Sequence, residues 1–157
     1  MKTRRIPPTL EALGLYAQAF NDSLTIKHFG AVIDFPDLTR VRATIDPIPK
    51  QFRGGMGSAS VVNGGVLAAM FDLALGCAAA LSDPTCRTGT MQLSMSFMRP
   101  LTGSRLVAEA RVDRAGDETL FTSATIRNDK DEICAQAQAV VKLPHTPWIA
   151  GTNPAVN

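Results

Sequence analysis

One stretch constrains this chain more than any other. After Asn63-Gly64-Gly65, sixteen residues from Val66 to Leu81 run almost without a polar side chain, and Asp72 stands alone in the middle. A helix apolar on every face is expected to be buried. A carboxylate taken into such surroundings carries a large desolvation penalty unless it is paired, and its proton affinity rises. No basic residue lies at positions 68, 69, 75 or 76, where a helical ion-pair partner belongs. The expectation is therefore a buried Asp72 that either meets a donor from elsewhere or is kept for chemistry. The start of the same helix is the complementary feature. Its first N–H groups have no partner within the helix and sit at the positive end of the helix dipole, and two glycines leave space for an oxygen atom to approach.

The rest of the chain must cover that helix. Thr9 onward predicts a short helix with Leu10, Leu13, Ala17 and Phe20 on one face, ending at Asn21-Asp22-Ser23. Residues 25–35 read as an imperfect strand and 38–46 as a cleaner one, joined by Pro36-Asp37 into an antiparallel hairpin. Pro47 to Val62 is a long loop rich in glycine, serine and proline, of the kind that often carries function. Asn63 is placed to cap the central helix, which is expected to end near Ser82-Asp83-Pro84. Strands are predicted at 88–98, 105–114, 119–127 and 132–143, each with apolar and polar residues in alternation. The tail with Pro144, Pro147 and Pro154 reads as irregular. The order implies an α+β domain, an antiparallel sheet with the apolar helix across one face, and a second subunit as a candidate for the remaining cover. Met91, Met95 and Met98 are expected in the core, where methionine also suits a pocket for variable tails.

Composition narrows the function classes. With 157 residues, 45% of them hydrophobic, and a formal charge of +2, the chain reads as one globular domain. Its basic residues are scattered, which argues against nucleic acid as a partner. The 66–81 run is short for a bilayer and contains Asp72, so no membrane partner is expected. Residues 1–5 are basic, but Pro7, Pro8 and Glu11 break up the apolar stretch after them, so an export signal is not read there. Three cysteines without metal-type spacing fit a cytoplasmic protein and imply no metal, disulfide or cofactor. His28 and His145 lie outside the constellation and read as structural or solvated.

Three stretches in order resemble the PaaI-like hotdog-fold acyl-CoA thioesterases. They are Val62-Asn63-Gly64-Gly65, then Phe71-Asp72 with the acid eight residues past the first glycine, then Met95-Ser96-Phe97-Met98-Arg99-Pro100. The strand Leu106 to Val112 also looks like the family, and the resemblance spans about residues 25–143. It implies a hotdog fold in which a sheet wraps a long central helix. It further implies a homodimer or dimer of dimers with active sites shared between subunits, and an acyl-CoA substrate. In that reading the Gly64 N–H polarises the thioester carbonyl, and Asp72 of the facing subunit activates water or attacks directly. Thr90 orients water, while Asn63, Gly65, Gly57 and Met91 line the substrate site. Two positions depart from the family: Asn63 stands where histidine is usual, and Gly57 where many relatives carry Asn or Gln. Arg53, Arg87 and Arg99 are candidates for CoA phosphates. The competing readings are a non-catalytic acyl-thioester binder, a hotdog hydratase, and a transcription regulator. The hydratase reading lacks the usual histidine, and the regulator reading lacks a helix-turn-helix.

Overall fold

A computed structural model describes residues 5–147. Six antiparallel strands form one sheet: β1 (Val32–Asp34), β2 (Val41–Ile45), β3 (Gly89–Phe97), β4 (Leu106–Ala115), β5 (Thr119–Arg127) and β6 (Ile133–Lys142). Their spatial order is β1-β2-β4-β5-β6-β3, so β3 crosses over to become an edge. Helix α1 (Leu10–Asn21) and the one-and-a-half-turn α2 (Leu24–Phe29) precede the sheet. Helix α3 (Gly64–Cys77) runs on into a 3₁₀ turn over Ala78–Leu81 and packs against β2 through β6. This is the hotdog arrangement.

The sheet can take a helix this closely because its inner face is paved with alanine. Across the strands, Val41, Ala110, Ala124, Ala137 and Met95 stand in one register row, and Ala43, Ala108, Ile126, Ala135 and Phe97 in the next. The small residues make a shallow trough, and Met70, Phe71 and Leu75 of α3 fill it, all fully buried. Length and composition alone would let Gly64–Leu81 cross a bilayer; in this fold it lies across the sheet instead. At the far end Tyr16 of α1 packs on Phe20 and Phe35, and its hydroxyl meets Cys77 and Thr88. Asp83, itself buried, accepts from the Ile6 N–H and from both the N–H and the hydroxyl of Thr85.

Three expectations need correction. Residues 25–35 are not one strand: Ser23 caps a helical turn at Leu24–Phe29, Gly30 in the left-handed region (φ 73°) ends it, and only Val32–Asp34 pairs with β2. The methionines of β3 are not core. Met91 occupies an irregularity in the β3–β6 register and is 61% exposed, Met98 is 45% exposed, and Met95 is half-buried, because an edge strand has nothing beyond it in a single chain. Nor is α3 buried on every side, since Asp72 is exposed on it. Of the expected tail, Pro147 makes an isolated bridge with Cys86, and Pro154 lies outside the described residues.

Candidate active site

Asn63 has extended backbone (φ −64°, ψ 136°), and its Oδ1 accepts the Gly65 N–H at 2.8 Å. The N–H groups of Val66 and Leu67 donate to the Asn63 carbonyl. The Gly64 N–H makes no hydrogen bond among the described residues, so one donor is left at the positive end of a fourteen-residue apolar helix. Glycine at 65 serves the cap, since a Cβ there would lie 3.1 Å from Asn63 Oδ1. The sequence places Gly65 at the substrate, but its N–H is already taken.

Residues Gly64, Ala68, Asp72 and Gly76 form one i,i+4 row of α3, and this row runs along β3. A Cβ on Gly64 would touch the Phe97 ring at 3.8 Å, and one on Gly76 would meet Thr90 Oγ1 at 3.3 Å. Asp72 on this row is exposed, which overturns the expectation of a buried carboxylate. It makes no hydrogen bond or ion pair among the described residues. The reason for the misreading is that Gly65, Ala68, Ala69 and Gly76 are small rather than polar, so a side of the helix that is open in one chain looks apolar in the sequence.

The candidates thus fall at two places on one row. Gly64 and Asn63 are at the helix start; Asp72 is about two turns further on, with Thr90 beside Gly76 a turn beyond it. Eight residues of helix separate Gly64 from Asp72, or about 12 Å of rise. No single carboxylate bridges that span, so the acid and the amide of one chain do not act on the same atom. Gly57 (φ 70°) is exposed in the preceding loop, and Met91 is exposed near Thr90.

A cavity of about 330 Å³ opens beside Gly64, walled by Val61, Leu67, Phe97, Met98 and Leu101, with Met56 at its rim. The sequence offered Met98 as core, or as suited to a pocket for variable tails, and did not single out Met56 or Phe97 as lining; alternation along β3 places Phe97 on the helix side, which was the available signal. A larger polar concavity of about 790 Å³ lies on the outer face of the sheet, among ion-paired residues such as Arg111 and Asp113, away from α3. Of the arginines proposed for phosphate, Arg53 donates to the Ser60 and Gly103 carbonyls and Arg99 to the Ile133 carbonyl. Arg87 is exposed and has no side-chain partner among the described residues. Burial, with Asp72 adding to it, pushes the Cys77 thiol up to about 12 despite the Tyr16 hydrogen bond, and so holds it in the protonated, poorly nucleophilic form.

Residues 59–135 match the model of the thioesterase superfamily. Among solved structures the fold is shared with the Escherichia coli PaaI protein from the phenylacetic acid degradation operon, at 20% identity over 89% of this chain and 99% of that one, TM-score 0.76. A Haemophilus influenzae thioesterase is 17% identical over 92% of this chain and 95% of its own, TM-score 0.72. A thioesterase family protein of Silicibacter pomeroyi is 20% identical over 87% and 99%, TM-score 0.72. At these identities the likeness establishes the fold. A sequence search among curated proteins finds no match.

Proposed function

From the premise that residues 59–135 belong to the thioesterase superfamily, we propose that this protein hydrolyses an acyl-CoA thioester to the free acid and CoA, and does so as a homodimer. The observation that carries the proposal is the division of the constellation along α3. A Gly64 N–H without a partner among the described residues adjoins an apolar cavity, and an exposed Asp72, likewise unpaired among them, lies about 12 Å along the same row. The two meet only if a second copy brings its Asp72 to the first copy's Gly64. The edge strand β3, with Met91 and Phe97 exposed beside that row, is where a second copy has backbone to pair with and apolar surface to cover.

In this arrangement the thioester carbonyl oxygen accepts from the Gly64 N–H. The Asp72 carboxylate of the facing subunit takes a proton from water as the water oxygen bonds to the carbonyl carbon. The resulting oxyanion is held by the amide and the helix field, and its collapse breaks the carbon–sulfur bond and expels CoA thiolate, which is then protonated. A fixed amide donor of this kind is worth roughly 3–4 kcal/mol to an acyl-transfer transition state. General-base help adds on the order of 10²–10⁴-fold. Direct attack by Asp72 would instead break the carbon–sulfur bond, expel CoA thiolate and form an acyl–carboxyl anhydride that water then opens to free acid and carboxylate. Thr90, one turn from Asp72 along the row, is the hydroxyl that orients the water. The three free cysteines fit a cytoplasmic setting.

One observation favours a second reading, a binder without turnover. Asn63, which stands where the family has histidine, spends its side-chain oxygen on the Gly65 cap. Thiol release from a panel of acyl-CoAs separates the two. Release with any member supports hydrolysis; binding without release from any member leaves the binder.

A further inference from the structure

The loop before α3 holds an exposed methionine in left-handed backbone. Met56 has φ 53° and ψ 27°, between Gly55 and Gly57. Left-handed backbone is unfavourable for a residue with a side chain and persists where the surroundings impose it. Here they do. The N–H groups of Gly54 and Gly55 both donate to the Val61 carbonyl at 3.0 Å, Ser58 N–H donates to the Gly55 carbonyl, and Val62 N–H donates to the Leu101 carbonyl. Gly55 is pressed so closely on the far side of the loop that a Cβ would stand 2.4 Å from the Val62 oxygen. The backbone is therefore pinned, while the Met56 side chain is 84% exposed and gains no burial in return.

That side chain stands on the rim of the cavity beside Gly64. The walls are Val61, Leu67, Phe97, Met98 and Leu101. The one charged liner, Arg99, gives a guanidinium N–H to the Ile133 carbonyl. A pantetheine arm carries two amides that need partners, and a carboxylated acyl group carries a charge; apart from Arg99, which is exposed and held at Ile133, the lining side chains serve neither. A plain hydrocarbon or aromatic acyl group fits them. Methionine is unbranched and adaptable, suited to lie along a chain of variable length.

Resting on the hydrolase reading, we infer that the substrate's acyl group is apolar and uncharged, and that Met56 is a specificity-determining residue that covers its outer end. The test uses a series from butyryl-CoA to dodecanoyl-CoA, with thiol release for turnover and calorimetric binding of the matching S-alkyl-CoA thioethers. Met56→Ala and Met56→Gly are expected to lower the dodecanoyl-to-butyryl ratio of kcat/KM about tenfold, the scale of one lost methylene contact. Met56→Leu should keep the ratio, and Met56→Gly, which relieves the backbone, separates side-chain loss from strain. A ratio unchanged in Ala and Gly overturns the inference. So does a fall accompanied by a change in molar mass on light scattering, which would assign Met56 to a subunit contact. If the wild-type protein releases thiol from no member, the hydrolase reading fails by itself and thioether binding decides. Length-dependent binding weakened by Ala and Gly sustains the role of Met56; length-independent binding ends it.

Discussion

The two sides of α3 are built on opposite terms. On the side facing the sheet, Leu67, Met70, Phe71, Ala74 and Leu75 are buried against an alanine-paved trough, and Cys77, also buried, meets Tyr16 of α1. On the side along β3, the row Gly64, Ala68, Asp72, Gly76 holds small residues and one acid that is unpaired among the described residues. The first side is a completed core. The second is open in the single chain, and the chemistry proposed above is placed along it. Stability and reactivity are separated across one helix diameter, about 10 Å.

That separation is open to attack from both sides. The largest effect is expected from Asp72→Asn, which keeps the shape and removes the base. Turnover in the thiol-release assay should fall on the order of 10²–10⁴-fold. The urea midpoint should move by no more than about 0.5 kcal/mol equivalent, as for other exposed substitutions. A variant that keeps wild-type turnover removes Asp72 from the mechanism. Phe71→Ala, its immediate neighbour on the sealed side, should do the reverse and destabilise by about 3–5 kcal/mol in equilibrium denaturation. A loss under about 1 kcal/mol would mean that the sealed side is not a close-packed core. The smallest effect belongs to Asn63→Ala. Loss of the cap to Gly65 should destabilise by about 1 kcal/mol. No loss in the same denaturation experiment would show that the cap is dispensable.

How well each region could be read in advance follows the same division. Strands β4, β5 and β6 were legible to within about a residue; in β4 Ala108 and Ala110 alternate with Glu109 and Arg111, and in β5 Ala124 and Ile126 alternate with Ser123, Thr125 and Arg127. Helix α2 was missed because Ile26 and Phe29 are three residues apart, a spacing that a short twisted strand also tolerates; the cap Ser23 and the stop Gly30 were the decisive signals. For the candidate site the sequence supplied residue names but not their environment. Small residues around Asp72 resemble core whether the space beside them is filled or open. The left-handed backbone of Met56 had no signature at all, since it is imposed by hydrogen bonds from the neighbouring glycines, Val61 and Ser58. The departure of Gly57 from the relatives' amide residue is consistent with the loop, since its φ of 70° is one that glycine adopts freely.

Cys77, Cys86 and Cys134 are all enclosed, and burial raises the proton affinity of each. Thiolate is the species that attacks aromatic disulfide reagents. The intact protein should therefore stay nearly colourless to such a reagent, so that sulfhydryl set free from a coenzyme is seen against a dark ground. Colour that develops with no substrate present would then count molecules that have opened.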